Sequence, residues 1–437
     1  CGAAVMCYAE FASMIPVAGS AYTFTYTTVG EIMAWIIGWD LILEMLMAGS
    51  VISKYWGVYL NDFMRLMGWN ANTNLTFGSF HIDIAPIIIV AFFTTLLVFG
   101  TKIGARVDGA MTVLKIAIVF FVVIVGFFYV KASNFTPFIP PSQPASTVEG
   151  SSAVTGVMTQ PLWQFATGMT PSVYGVPGIL SGAALVFFAF IGFDVVATAS
   201  EETKNPHKNV PLGIGVGMLL IIVMYMLVAV VTTGMVSYAD LAKQDSPSLA
   251  TAFELVGADW AAKIISFGIV LGLATVVMVL LLGLTRIVFA MSRDGLLPRG
   301  LSKTGKHGTP AALQIVVGAV VALVAAFFDI GVLSDMVNIG TLSAFTLVAI
   351  SIPIMRKKRP DLPRAFKMPG SPWIPILIAV ANFWLMLNLS VLTWIRFVVW
   401  LVVGFAIYFG YGYWHARLGK GDLTETLSAE TDKAVNG

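Results

Sequence analysis

The chain has 437 residues, of which 58% are hydrophobic and 11% charged, and its mean hydropathy is +0.87. Soluble domains carry roughly 25% charged residues, so this composition excludes a string of soluble domains and points to one polytopic membrane domain. A net charge of +2 without a basic amphipathic stretch carries no nucleic-acid signal. The two cysteines, Cys1 and Cys7, give no disulfide framework, and four scattered histidines argue against a metalloenzyme.

In chain order, the opening CGAAVMCYAEFAS is already apolar and has no initiator Met, basic leader or cleavage site. Residues 1–14 therefore read as part of a helix rather than as a signal peptide. Apolar runs of about 20 residues, enough to cross a bilayer core, then follow at 29–53, 84–100, 107–130, 177–200, 211–236, 261–290, 311–329, 332–355, 373–392 and 395–414. The expectation is ten complete spans and one partial span, in a transmembrane domain over 1–415 with a tail at 416–437. The Pro/Ser/Thr-rich stretch 132–176 reads as a long loop.

Lys and Arg alternate from linker to linker. One set holds Lys102, Arg106, Lys204, Lys208, Arg293, Arg299, Lys303, Lys306, the run MRKKRPDLPRAFK and the tail's Arg417, Lys420 and Lys433. The other holds only Lys54, Arg65, Lys131, Lys243, Lys263 and Arg396. The positive-inside rule puts the first set and the C-terminus in the cytoplasm. The run at 356–367 reads as a topology determinant ahead of an anionic-lipid site.

Four ionisable residues stand inside spans, where each costs about 2.5–3.5 kcal/mol and faces a bundle interior or water. They are Asp40, Glu44, Lys115 and Asp194. Asp40 and Glu44 share one helix face. Asp40 fits a structural hydrogen bond, whereas the deeper Glu44 and Asp194 fit function. Lys115, about 12 Å into its span at 1.5 Å per residue, is balanced between snorkelling to the cytoplasmic surface and a role inside.

Gly192 in FFAFIGFD is the expected point of interruption in the 177–200 span. A helix broken at membrane depth frees carbonyls and amides, which is tolerated only where they line a cavity. Gly alone would fit close helix packing. Gly with Asp194 and the polar exit SEETKNPHKNVP favours a site.

The run FFAFIGFDVVATASEETKNPHKNVPLGI resembles the sixth helix and following loop of the cationic amino acid transporter family, within the amino acid–polyamine–organocation superfamily. The likeness continues in CYAEFASMIPVAGSAYTFTYTTVGE, WIIGWDLILE, GTKIGARVDGAMTVLK, TRIVFAMSRDGLLP and RAFKMPGSPWIP, in the family's order, and is closest to the bacterial twelve-helix members. It implies an all-α polytopic fold of two inverted five-helix repeats, like the sodium-coupled leucine transporter, with two extra C-terminal helices. It implies that carbonyls of Phe188, Ala189 and Ile191 beside Gly192 hold the substrate's amino group. Glu44 and Asp194 would face or support its side chain, Val277 and Met278 would border the side-chain pocket, and Lys115 would be the proton-coupling residue. Aligned this way, the chain enters inside the family's second helix, and the first helix is expected outside these residues.

The resulting expectation is a plasma-membrane amino acid permease driven by protons through alternating access. No cofactor is implied beyond the proton as coupling ion. Its partners are the amino acid and the lipid bilayer, with room for a small accessory membrane subunit and no nucleic acid. An exchanger without net proton flux and a non-transporting amino acid sensor remain as alternatives. An enzyme fits least, because no nucleophile–base pair, phosphate loop or metal set is present.

Overall fold

The computed structural model describes residues 1–14, 22, 25–26, 30–69, 73–77, 80–100, 102–147, 156–192, 203, 205–244, 248–305, 309–358, 360, 364 and 366–416. Nearly all of the regular structure is helical, as a bilayer requires of any open-ended segment that crosses it. After α1 (Gly2–Met14) and α2 (Glu31–Leu66), a short hairpin of β1 (Asn74–Phe77) and β2 (Phe80–Asp83) leads into α3 (Ile84–Phe99) and α4 (Lys102–Phe127). The long loop contains β3 (Gln143–Pro144), α5 (Leu162–Thr167) and β4 (Ser172–Val173) before α6 (Gly175–Val186). Then come α7 (Pro206–Met235), α8 (Tyr238–Ala242), α9 (Leu249–Leu255), α10 (Asp259–Arg293), α11 (Ala311–Phe327), α12 (Ile330–Lys358), α13 (Trp373–Leu387) and α14 (Val391–Ile407).

Among the described residues, six helices are long and apolar enough to cross a membrane, and α3, α6, α11 and α13 are shorter apolar helices. Together they occupy the ten complete spans read from the sequence, with α1 on the partial one. Polar caps start two of them: Asp83 Oδ1 accepts from the Ala85 N–H at 3.3 Å and Ser390 Oγ from the Thr393 N–H at 3.2 Å.

One boundary and one added element differ from expectation. Helix α2 runs on to Leu66 instead of ending near 53. Its 36 residues cover about 54 Å at 1.5 Å per residue, well beyond the ~30 Å of a bilayer core. Hydropathy falls after 53, but no proline intervenes, and Arg65 near the far end bonds Glu254 of α9 at 2.9 Å. The β1–β2 hairpin was also unexpected, although its Leu/Phe/Ile alternation around Gly78-Ser79 is a hairpin signal.

Helix α2 is the axis of the molecule. Trp35 through Ser53 are mostly buried on it, and α10, α12, α11, α3 and α14 pack around it. Lipid is as apolar as leucine, so this packing depends on close fit and polar contacts rather than on escape from water. Trp39 shows both. Its ring stacks on Trp400 of α14 at 4.4 Å, and its indole Nε1 donates to the Trp400 carbonyl at 2.9 Å. Gly404 makes the approach feasible, since a methyl group there would meet the Trp39 ring at 2.5 Å. Outward faces carry exposed apolar side chains, including Phe120 and Ile124 of α4, Leu219 and Met226 of α7, and Leu377 of α13.

The basic run at 356–367 proves to have two kinds of member. Lys357, Lys358 and Lys367 are exposed, but Arg356 turns inward onto Glu10 of α1. Arg356 Nε and Nη2 donate to the two Glu10 oxygens at 2.9 and 2.7 Å, and Arg364 Nε lies 3.7 Å away. The Met368 N–H donates to the same carboxylate at 2.7 Å, and Glu10 is fully buried. Bidentate geometry with a further N–H is what a buried carboxylate requires.

Glu10→Gln keeps the shape but takes the counter-charge away from the Arg356 guanidinium. It should cost roughly 3 kcal/mol, the low end for breaking a buried pair, and lower the thermal midpoint of the detergent-solubilised protein. An unchanged midpoint would show that the cluster contributes nothing to stability.

Candidate functional site

Helix α6 leaves α-helical geometry long before the end of its apolar run. It stops at Val186, tightens into a 3₁₀ turn over Phe187–Phe190, and then extends at Ile191 (φ −68°, ψ 145°). Gly192 follows at φ +116°, a region that side-chain-bearing residues rarely enter. The α-helix therefore ends six residues before Gly192, the expected point of interruption, and the chain leaves helical geometry altogether at Ile191. Asp194 lies outside the described residues.

This interruption forms one wall of a cavity of about 410 Å³. Ala189, Phe190, Ile191 and Gly192 supply that wall. The opposing wall comes from α7, whose Ile214, Met218, Ile221 and Tyr225 recur at helical spacing, with Gly213 and Gly217 giving room between them. Val276 and Val279 of α10 and Thr112 and Lys115 of α4 also line it.

The position of Lys115 follows from a pair of glycines on α10. A methyl group on Gly272 would sit 3.2 Å from Lys115 Cγ, and one on Gly268 would collide with Ile118. The small-xxx-small spacing of Gly268 and Gly272 lets α4 lie close against α10. The lysine stem crosses Gly272, and the half-buried residue lines the cavity. Lys115 and Tyr225 are its ionisable lining residues; the remainder is aliphatic, aromatic or glycine apart from the Thr112 hydroxyl.

The Tyr225 hydroxyl donates to the Ala189 carbonyl at 2.6 Å, and its ring meets Phe190 edge-on at 5.0 Å. A carbonyl released from a helix is thus already held in place, with a second lone pair left for another donor. Sequence analysis missed Tyr225. The available signal was a tyrosine in the middle of an otherwise apolar span.

The other expected site residues are distributed differently. Phe188 packs against the main core and is not among the lining residues. On α10 the lining positions are Val276 and Val279, whereas Val277 and Met278 are buried in the main core. Glu44 is fully buried on α2 and also lies apart from the cavity lining. One turn earlier, Asp40 makes the structural hydrogen bond expected of it, accepting from Ser343 Oγ of α12 at 2.7 Å. The structure therefore brings together Lys115, Ala189, Ile191 and Gly192 and separates them from Glu44, Phe188, Val277 and Met278.

Residues 1–412 match the model of a family described as amino acid permease. The chain belongs to that family. It is 42% identical to the branched-chain amino acid permease BcaP of Bacillus subtilis over 96% of this chain and 85% of that protein. It is 38% identical to the methylthioribose transporter of Bacillus subtilis over the same shares. Similarity to the vacuolar cationic amino acid transporter 4 of Arabidopsis thaliana is 34% over 81% of this chain and 55% of that protein. All three relatives are transporters, in line with a multi-pass membrane protein that is not an enzyme.

In this permease, Tyr225→Phe removes one hydrogen bond while keeping the ring against Phe190. Loss of a single net hydrogen bond, about 0.5–1.5 kcal/mol, should raise the KM for a labelled amino acid in vesicle uptake by roughly two- to twelvefold. An unaltered KM would show that the position of the Ala189 carbonyl does not govern binding.

Proposed function

We propose that this permease carries neutral amino acids with apolar side chains across the plasma membrane, driven by protons. The observation that carries this reading is the cavity itself, where a freed backbone and one lysine face walls of valine, isoleucine, methionine and phenylalanine. Released carbonyls at membrane depth accept an ammonium group. Aliphatic walls accept an aliphatic side chain, and among the described lining residues no carboxylate stands to balance a guanidinium. The similarity to a branched-chain amino acid permease supports the same substrate class.

Lys115 is the proton carrier in this proposal. It lines the same cavity as the freed backbone, and would take up and release the coupled proton as that cavity opens first to one side of the membrane and then to the other. The α-amino group of the substrate and the lysine would then occupy one cavity together, and their mutual repulsion links binding to proton movement. The fold we infer is two inverted five-helix repeats with α13 and α14 appended. The C-terminus is cytoplasmic by the alternation of Lys and Arg among the linkers. Glu44, fully buried on α2 apart from the described lining residues, supports the bundle around the site rather than neutralising a cationic substrate.

A second substrate class has one specific observation behind it. The methylthioribose transporter matches over the same length as the branched-chain permease, and a thioether also suits a methionine- and valine-lined wall.

The test uses purified protein in vesicles with an inward proton gradient and labelled leucine. Unlabelled leucine, isoleucine and valine should compete, arginine and lysine should compete weakly, and methylthioribose decides the second class. Strong competition by arginine would contradict the neutral assignment. Lys115→Ala should lose accumulation under the gradient while still exchanging leucine across the membrane. Undiminished accumulation by that variant would remove Lys115 from coupling.

A further inference from the structure

The interruption in α6 is also held from outside the cavity, by one face of α12. Asn338 is fully buried there, and its Nδ2 donates to the Leu185 carbonyl at 3.1 Å. Leu185 is in the last turn of α6. Carbonyls in that turn lack the partner that a continuing helix would give them, and away from water such a group needs another donor. Two turns farther along α12, the ring of Phe345 meets Phe187 edge-on, with centroids 5.5 Å apart at 62°. Phe187 is the first residue of the 3₁₀ turn and is itself buried. Tyr8 of α1 backs Phe345 from another direction at 5.2 Å.

The chemistry at 338 is costly in the absence of a purpose. Asn338 Oδ1 is buried and finds no hydrogen-bond partner among the described residues, a cost that a leucine of similar size would avoid. The amide's contact with another element is its donation to Leu185. Thr341, between the two on the same helix, offers a contrast. It is fully buried, but its hydroxyl donates to the Val337 carbonyl at 2.9 Å, within its own helix.

We propose that Asn338 and Phe345 are positioning residues for transport, forming a clamp that keeps α6 interrupted at Val186. Asn338 takes up the carbonyl that the interruption releases, and Phe345 pins the first side chain beyond it. The clamp thereby fixes where the carbonyls of Ala189 and Ile191 stand. Its consequence for binding rests on the reading of the cavity as an amino acid site; the clamp itself does not.

Two readouts on the full chain separate these. Backbone hydrogen exchange over 183–192 reports the clamp in purified protein, whether or not it transports. Leucine uptake in vesicles reports binding. Asn338→Leu removes the donor with an apolar residue of similar size, and Phe345→Leu removes the ring. Each should speed exchange over 183–192 and raise the KM roughly tenfold, the scale of one lost hydrogen bond or ring contact, with Vmax little changed. Thr341→Val should do neither. Unchanged exchange in all the folded variants would overturn the clamp. Equal effects of Thr341→Val would overturn it too, because packing of α12 would then explain them. Faster exchange with an unchanged KM would overturn the link to binding. No uptake by the unsubstituted protein would count against the amino acid reading and leave exchange to decide the clamp.

Discussion

A peptide backbone inside a bilayer has no water to turn to, so each carbonyl and amide released from a helix must find a partner within the protein. The end of α6 at Val186 creates that demand, and much of the surrounding structure can be understood as meeting it. Tyr225 from α7 takes the Ala189 carbonyl, Asn338 from α12 takes the Leu185 carbonyl, and the Ile191 N–H returns to the Phe188 carbonyl at 3.2 Å. What is left is a short length of backbone with acceptor capacity to spare, facing a cavity. A continuous helix would have offered a ligand only side chains.

Small residues decide how closely the other helices approach this place. Gly268 and Gly272 let α4 lie against α10, which brings Lys115 to the same cavity as the released backbone. Gly213 and Gly217 keep the α7 wall shallow between Ile214, Met218 and Ile221. In lipid, where apolar contact with a neighbour gains little over contact with solvent, such shape fitting is the main means of association. The charged cluster of Glu10, Arg356 and Arg364 holds α1 to α12 at one end, and α1 in turn packs along α7. The wall that carries Tyr225 is thus braced at a distance from the cavity.

The spans were legible in the sequence because a bilayer imposes one length and one polarity on whatever crosses it. The interruption was legible because Gly192 and Asp194 violate that rule within three positions. Hydropathy does not report azimuth, so it could not separate Val276 and Val279, which line the cavity, from Val277 and Met278, which do not. Nor could it reveal that Arg356 meets Glu10 across 346 positions of sequence. The run around Arg356 instead read as a charge that faces water. Tyr225 and Asn338 were passed over for a related reason. Each is an uncharged polar residue in an apolar helix, and its partner is a backbone carbonyl that exists as an acceptor only because another helix has ended.

The most direct measurement asks whether an amino acid occupies this cavity. Val276→Cys places a thiol on its α10 wall, and alkylation can be followed by mass spectrometry so that Cys1 and Cys7 are read separately. Leucine should protect the thiol at 276 in a saturable manner, at concentrations near its KM for uptake, while leaving Cys1 and Cys7 unaffected. Alkylation at the same rate with and without saturating leucine, in a variant that still transports it, would place the substrate elsewhere in the molecule.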